Sequence, residues 1–323
     1  MLFRIILNSL RLLYFIFALI ALAVISLFVG VKDIAVSDLF RWTDEQQLVM
    51  SISRIPRTVA LILAGVGMSI CGLIMQQMTQ NRFVAPTTAG TLDAAKMGIL
   101  ASILFASQSG NFTRILFAFG FTFLASIIFL KIADRIRYRN IIFVPLVGLM
   151  FGGILNSITT FFAYENNVVQ NVNAWMVGDF SGILQGNYEL VYLSIPAVVI
   201  TYLYANKFTV VGMGENFSKN LGLNYRTVLN IGLFCVALTV SVVVLTVGTI
   251  PFLGLVIPNI VSILYGDNLR KTLPITAVFG AIFLLICDII GRLIIFPFEV
   301  PIGMTVGIVG GVIFLILLIK KQR

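Results

Sequence analysis

The 323-residue sequence contains no histidine and few charged residues, which make up 11% of the chain. Without histidine there is no imidazole for a Ser-His pair, for acid–base catalysis, or for a histidine-ligated metal or haem site. A typical soluble domain has about 25% charged residues, compared with 11% here. Hydrophobic residues make up 59% of the chain. The composition therefore excludes an ordinary soluble protein and leaves little room for a soluble catalytic domain.

Cysteine is also scarce, with three residues in the chain. Cys71, Cys235 and Cys287 lie far apart in apolar stretches, without the C-x-x-C or similar spacing that metal sites use. We expect them to be small buried hydrophobic residues. The sequence therefore predicts no catalytic residue and no metal site, and no cofactor bound by this chain.

Long apolar runs account for most of the sequence. A bilayer core of about 30 Å needs roughly 20 apolar residues per helix, so this length allows about ten spans. The first run follows basic residues, as a secretory signal does, but more membrane sequence comes after it, which favours a retained helix. Runs 97–109 and 256–265 are too short to cross alone unless the backbone beside them is buried in protein. The runs cover residues 12–29, 58–79, 97–109, 115–132, 141–164, 190–206, 228–250, 256–265, 272–296 and 303–319.

The net charge of +9 is spread between the apolar runs and is not gathered in a basic patch with aromatic residues, so it does not indicate nucleic-acid binding. With a cytoplasmic N-terminus, 16 of the 22 Lys and Arg residues fall inside, as the positive-inside rule requires. We predict an all-α integral membrane protein of about ten transmembrane helices, one domain over residues 1–323, with both termini cytoplasmic. The basic residues left outside are Lys32, Arg41, Arg54, Arg57, Arg114 and Arg292.

Helix-breaking residues interrupt the chain at two related places. A connection over 81–97, with Pro86, follows the second run, and Pro251 follows the seventh. The second run would cross inward and the seventh outward, which is typical of inverted five-helix repeats in transport proteins, here about 1–165 and 166–323. Helix breaking within an ordinary bundle is the alternative.

Ionisable residues are almost missing from the predicted spans. The clearest is Asp288, and Arg292 lies one turn beyond it, where the two can neutralise each other as an i, i+4 pair. The pair favours a structural or docking role over ion coupling, and so disfavours a proton-driven secondary transporter. No G-x-x-x-x-G-K-S/T sequence is present to bind nucleotide phosphates. If the protein transports actively, its ATPase is a separate polypeptide.

One cytoplasmic connection, residues 206–227, is long enough to form a folded surface for such a partner. Polar residues alternate there with Met213, Phe217 and Leu221, and Gly222 then breaks the pattern. Two short helices with a turn that glycine permits would satisfy the local backbone. A solvated loop is the alternative.

Two predicted spans carry residues suited to helix contact or to a polar path. In the last span, Gly303, Gly307 and Gly311 form a stripe of small residues that lets helix backbones approach closely. The fifth run carries uncharged polar residues that suit a path for a bulky solute. They are Asn156, Ser157, Thr159 and Thr160.

Several ordered motifs resemble those of the FecCD family, the permease subunits of ATP-binding-cassette importers for iron–siderophore complexes, haem and vitamin B12. The resemblance covers nearly the whole chain, and several motifs in family order are more specific than any one alone. They are SRIPR at 53–57, AGVGMSICGLIMQQ in the second run, Asn81, Pro86 and Gly90, GENFSKNLGL at 214–223, FLGLVIPN at 252–259, GDNLR at 266–270, DIIGR at 288–292 and EVPIG at 299–303.

The resemblance implies a role for several of these regions. Arg54, Arg57 and Arg292 would meet acidic residues on an extracytoplasmic siderophore-binding protein; anchoring of each arginine to lipid phosphate is the alternative. The fifth and last spans would line a path at the centre of a permease dimer, unless the glycine stripe packs within one subunit. Residues 214–223 would couple the permease to a cleft on the ATPase. The coupling residues are Gly214, Glu215, Ser218, Lys219, Leu221 and Gly222.

The implied assembly contains a second permease subunit, alike or paralogous, two cytoplasmic ATPases that bind ATP and Mg, and the binding protein, at the bacterial cytoplasmic (inner) membrane. The chain itself would carry out no covalent chemistry. It departs from the family pattern at Arg82, where the family has proline, and at Asn259 and Ser262, where the family often has histidine and arginine. Asn259 and Ser262 resemble the branch that imports ferric catecholate-type siderophores. An ion-coupled secondary transporter, or a permease for haem or vitamin B12, is the alternative.

Overall fold

The computed structural model describes residues 2–30, 43–106, 110–135 and 143–321. The regular elements of these residues are helices, and no β-strand occurs among them. The all-α fold predicted from the apolar runs is therefore confirmed. Lys32 and Arg41, which we expected on the outer side, lie outside the described residues.

Side-chain caps and helix breakers set the ends of several helices. Thr43 and Asn224 begin α2 and α11 by accepting the backbone N–H group three residues ahead, as N-caps do. A π-helical turn, Met50–Arg54, joins α2 to α3. The α-helices of the described chain are α1 (Leu2–Phe28), α2 (Asp44–Val49), α3 (Ile55–Met78), α4 (Thr91–Phe105), α5 (Asn111–Arg135), α6 (Phe143–Glu165), α7 (Val169–Met176), α8 (Ser194–Leu203), α9 (Ala205–Val211), α10 (Glu215–Asn220), α11 (Tyr225–Val247), α12 (Leu253–Tyr265), α13 (Leu269–Leu293) and α14 (Ile302–Lys321).

Six helical segments of the described chain are long and apolar enough to cross a membrane. A seventh candidate is the pair Glu189–Leu203 and Ala205–Val211, which is bent by 66°. A helix overlaps each of the ten apolar runs, including the two short ones. The six segments are Asp44–Met78, Asn111–Arg135, Phe143–Glu165, Tyr225–Val247, Leu269–Leu293 and Ile302–Ile319.

Helix α4 begins earlier than the hydropathy predicts, at Thr91 rather than at Met97. Its first turns carry Asp93 and Lys96, which lower the local hydropathy. Both side chains are accommodated because they pack against α6, Asp93 beside Gly152 and Lys96 by a hydrogen bond. The predicted connection over 81–97 is therefore too long, and its second part is helix. Lys96, which the charge count placed in a cytoplasmic connection, lies within this helix, beside the middle of α6.

Helix α3 forms the centre of the bundle and packs on α11, α12 and α13. The most apolar window of α3 is 78% buried, whereas those of α6 and α14 are each 22% buried. Glycines allow the close backbone contacts: a Cβ on Gly72 would lie 1.8 Å from the Gly254 carbonyl oxygen, and one on Gly65 would lie 2.7 Å from the Gly280 oxygen. Small residues bring helix backbones together in this way in membrane proteins.

Helix contacts repeat between the two parts of the chain. Helix α3 packs on α12 and α13, and α11 packs in the same way on α4 and α5. The pairs α4–α5, α4–α6 and α5–α6 have counterparts in α12–α13, α12–α14 and α13–α14. Helices α4–α6 therefore contact each other as α12–α14 do, and α3 and α11 each pack on the other of these two groups.

Candidate functional site

Helix α10 is a short helix held firmly against α9, within the predicted 206–227 segment. Ser218 of α10 is fully buried, and its hydroxyl donates to the carbonyls of Gly214 at 2.8 Å and Val210 at 3.1 Å. Gly214 enters the helix at φ +109°, a conformation that favours glycine. The segment is thus a folded unit of two short helices, as the sequence predicts, rather than a solvated loop.

Gly222 ends α10 in the left-handed region, at φ +74°. Its N–H donates to the Lys219 carbonyl at 2.9 Å, and the Leu223 N–H donates to the Ser218 carbonyl at 3.0 Å. This pair of bonds is the Schellman ending of a helix, which satisfies its last carbonyls. Apart from Gly222 and its two chain neighbours, no atom of the described residues lies within 4 Å of the place that a Cβ on Gly222 would occupy. The backbone conformation, and not lack of space, therefore requires glycine here.

The outer surface of this unit is apolar with a charged edge. Met213, Phe217 and Leu221 follow each other at intervals of four residues and are 58%, 47% and 58% exposed. Beside them Lys219 pairs with Glu215 at 2.8 Å. The hydrogen bond and then the charge of Lys219 lower the pKa of the Glu215 carboxyl. Apolar side chains exposed together on a folded segment indicate a contact surface for a partner.

The three departures from the family pattern come together in one network beside this unit. The Arg82 guanidinium pairs with Asp267 at 2.6 Å, and the Ser262 hydroxyl donates to the same carboxylate. Asn259 donates from Nδ2 to the Arg82 carbonyl at 2.8 Å. The network borders a cavity of about 530 Å³, in which the buried Nε2 of Gln76 finds no partner among the described residues. The sequence pattern links Asn259 with Ser262 but predicts no contact of either residue with the Arg82–Asp267 pair.

The start of α3 and the end of α13 lie on the side of the bundle opposite this network. There, Asp288 lies between two arginines. Arg57 donates to Asp288 Oδ1 at 2.7 Å and to Glu299 Oε2 at 2.6 Å. Arg292 pairs with Asp288 Oδ2 at 2.5 Å, which confirms the predicted i, i+4 pair. The Asp288 side chain is 1% exposed, so its charge is balanced inside the protein.

Arg292 and Arg54 also hold the end of α1. Arg292 Nη1 donates to the Val29 carbonyl at 2.6 Å, and its Nη2 donates to Ser26 Oγ at 2.6 Å. Arg54 Nη1 donates to the carbonyls of Leu27 at 2.7 Å and Phe28 at 3.1 Å. Basic side chains are favourable beside the free carbonyls at a helix C-terminus. Of the three predicted docking arginines, Arg54 and Arg292 are buried, and the side chain of Arg57 is 12% exposed.

The glycine stripe of α14 contacts its own chain. A Cβ on Gly303 would lie 3.2 Å from the Gly178 nitrogen, and one on Gly307 would lie 3.6 Å from the Pro251 side chain. A Cβ on Gly311 would lie 3.8 Å from the Phe252 ring. The geometry favours the internal-packing alternative at these glycines. The exposed face of α14 is a different one, formed by large side chains: Met304, Ile308, Val312, Leu315 and Ile319.

Of the four polar residues predicted to line a path, Asn156 differs from the hydroxyl residues. The hydroxyls of Ser157, Thr159 and Thr160 donate to carbonyls one turn back in α6, at 2.9, 2.7 and 2.8 Å. Asn156 instead accepts a hydrogen bond from Lys96 Nζ at 3.0 Å. Sequence reasoning missed Lys96, although its position just before a short apolar run was a signal.

The sequence pattern of the FecCD transport family matches residues 18–320. The chain belongs to the FecCD transport family. Two siderophore permeases match over nearly their full length. The petrobactin import system permease protein YclN of Bacillus subtilis (strain 168) is 53% identical over 97% of this chain and 99% of that protein. The ferric-anguibactin transport system permease protein FatD of Vibrio anguillarum (strain ATCC 68554 / 775) is 47% identical over 95% and 98%.

A solved structure shares the fold of this FecCD chain. It is a metal-chelate type ABC transporter in an inward-facing conformation, with a TM-score of 0.83 and 21% sequence identity. The match covers 97% of this chain and 99% of that one. Together with the apolar helices, family membership makes the protein a multi-pass protein of the bacterial inner membrane.

Proposed function

We propose that the chain is the membrane-spanning permease subunit of an ATP-binding-cassette importer that carries an iron–siderophore complex into the cytoplasm. The observation that carries the proposal is the full-length similarity to two siderophore permeases, at 53% and 47% identity. The subunit changes no covalent bond in its substrate, and ATP hydrolysis on separate subunits drives transport. The sequence supports this division of labour, since it contains no phosphate-binding loop.

The complete importer contains a second permease, alike or paralogous, two cytoplasmic ATPases that bind ATP and Mg, and an outer binding protein. The folded unit at 214–223 is the coupling surface for the ATPase. Its apolar face at Met213, Phe217 and Leu221 supports this role, because that face has no cover within the described chain. Gly214 and Gly222 set the two ends of the unit by their positive φ angles.

The proposed architecture has ten membrane helices in two inverted five-helix repeats, with both termini cytoplasmic. The repeated contacts of α3–α6 and α11–α14 support the repeat. The outer binding protein docks at the start of α3 and the end of α13, near Arg54, Arg57 and Arg292. Arg57 is the least buried of the three, with 12% of its side chain exposed, whereas the other two are buried against α1.

The function is tested by uptake of a radiolabelled ferric siderophore into proteoliposomes that contain the permease, its ATPases and its binding protein. ATP is supplied and a protonophore collapses the proton gradient. Uptake that persists supports the importer, and uptake that needs the gradient indicates an ion-coupled transporter. Haem and vitamin B12 are supplied in parallel, and accumulation of either in place of the ferric chelate would overturn the proposed substrate.

A further inference from the structure

Lys96 is placed so that its ammonium group reaches the polar sides of α6 and α7. Its Nζ donates to Asn156 Oδ1 at 3.0 Å and to Asn173 Oδ1 at 3.4 Å. Both partners are neutral amide oxygens, and no ion pair involves Lys96 in the described part of the chain. Its positive charge is thus solvated by the protein but not neutralised by direct contact.

The nearest acidic residue on α4, Asp93, points elsewhere. Its Oδ2 lies against the α6 backbone, 2.5 Å from the place that a Cβ on Gly152 would occupy. Asp93 and Lys96 therefore meet α6 one turn apart, the first at a glycine and the second at Asn156. The carboxylate weakens the positive field at Lys96, but it leaves the ammonium tip free to make a new hydrogen bond.

Lys96 is partly exposed and lies beside polar side chains of α6 and α7. Asn173 is exposed, and so are Ser157 and Thr160 on α6. A charged residue at membrane depth is costly unless it faces water or protein, so charged residues there mark the paths of ions and substrates. A strip of uncharged polar side chains with one ammonium group is the kind of surface that a path for a charged solute requires.

We propose that Lys96 supplies the positive charge that an anionic ferric chelate meets as it passes through the permease. This inference rests on the proposed import function. In a ferric tris-catecholate the ligand oxygens together carry more negative charge than Fe(III) carries positive charge, so the complex is an anion. Charge-assisted hydrogen bonds from ammonium to such oxygens are stronger than those to a neutral amide. Lys96 is thus a specificity-determining residue that favours anionic over neutral chelates.

The test measures ATP-driven uptake of a radiolabelled ferric tris-catecholate by proteoliposomes that contain the complete importer. Loss of one charge-assisted hydrogen bond in Lys96→Met lowers uptake at limiting chelate by about tenfold, and Lys96→Arg keeps most of it. Higher ionic strength lowers uptake by the wild type more than uptake by Lys96→Met, because only the wild type attracts the anion. Basal ATP hydrolysis is the same in all three.

A second variant leaves α4 intact. Asn173→Asp places a carboxylate beside Lys96 at an exposed position and neutralises the ammonium charge, so it should lower uptake. Asn173→Ser is the control: it leaves the ammonium charge of Lys96 unchanged and should not lower uptake. If the wild type imports the chelate, and Lys96→Met and Asn173→Asp import it at the same rate with the same salt dependence, the inference about Lys96 is wrong. The proposed function would then still stand. A wild-type complex that imports no ferric chelate with ATP overturns the proposed function instead.

Discussion

Arg57 and Asp288 lie 231 residues apart in the sequence and form a 2.7 Å contact between α3 and α13. The second oxygen of the same carboxylate pairs with Arg292, which also donates to the backbone at the end of α1. One buried carboxylate therefore holds three helices together. Removing one partner of a buried ion pair costs more than the pair itself contributes, because an uncompensated charge remains buried.

Asp288→Asn should therefore destabilise the folded permease by about 3–5 kcal/mol, the range for a broken buried pair. The substitution keeps the size of the side chain and leaves the Arg57 and Arg292 charges without their shared carboxylate. The expected result is a clear loss of thermal stability in detergent, measured by the temperature at which the purified subunit unfolds or aggregates.

Glu299→Gln is the matched control for this variant. It removes the other ion pair of Arg57, but the Glu299 side chain is 25% exposed, so water can solvate the group that loses its partner. We expect it to lower stability by about 1 kcal/mol or less. If the two variants lower the thermal stability equally, burial of the Asp288 carboxylate does not make its ion pairs more important than the partly exposed pair of Glu299.

Arg57 also tests the docking prediction, because it is the least buried of the three outer arginines. Arg57→Gln removes the charge and keeps a donor near Asp288. We expect weaker capture of the loaded binding protein, most clearly at low ionic strength, since screening lengths fall to about 8 Å at physiological salt. Surface plasmon resonance on the complex in nanodiscs measures the affinity.

The thermal stability of Arg57→Gln, measured on the same sample, separates docking from folding. Unchanged affinity for the binding protein at low salt, in a subunit that is less stable, would make Arg57 a purely structural residue. Basal ATP hydrolysis should persist in the assembled complex in either case.

Gly222→Val tests the coupling unit. A β-branched residue disfavours the left-handed conformation by about 1–2 kcal/mol, and no neighbouring atom complicates the reading because the Cβ position is open. The end of α10 should shift, and ATP-driven uptake should fall sharply while the subunit still inserts. Uptake and ATP hydrolysis are measured on the same proteoliposomes.

Gly222→Asn is the control, since asparagine tolerates positive φ far better than valine. It should keep most of the uptake. If Gly222→Val transports as the wild type does, residues 214–223 are not the coupling element.

Local signals predicted the parts of the molecule that depend on nearby sequence. The apolar runs predicted a helix at each place, and Gly222 predicted the end of α10. The start of α4 was missed because Asp93 and Lys96 interrupt the hydropathy, and their partners on α6 come about 60 residues later. A hydropathy window contains no information about such a partner.

Apart from the pair of Arg292 with Asp288, the contacts of the three outer arginines could not be predicted from the sequence either, because their partners are also distant in the chain. The sequence predicts that Arg54, Arg57 and Arg292 face a partner, because it shows the number and side of these charges but not their contacts. The structure adds Ser26 and the carbonyls at the end of α1, which nothing in a one-dimensional pattern marks as acceptors. Their docking role stays a prediction, and their structural contacts are the new finding.

The glycine stripe of α14 yields a prediction that separates packing within the subunit from pairing of two permeases. Gly303→Leu forces a large side chain against the Gly178 backbone, 3.2 Å from the first added carbon. Overpacking of this kind costs about 1–3 kcal/mol, so the isolated subunit should become sensitive to protease. Gly307→Leu should do less harm, since its nearest neighbour is 3.6 Å away at the edge of Pro251. Native mass spectrometry of both variants shows whether two permease subunits still pair. If the pair survives in Gly307→Leu, the stripe packs within one subunit. If the subunit is stable but no longer pairs, the stripe lies at the dimer interface.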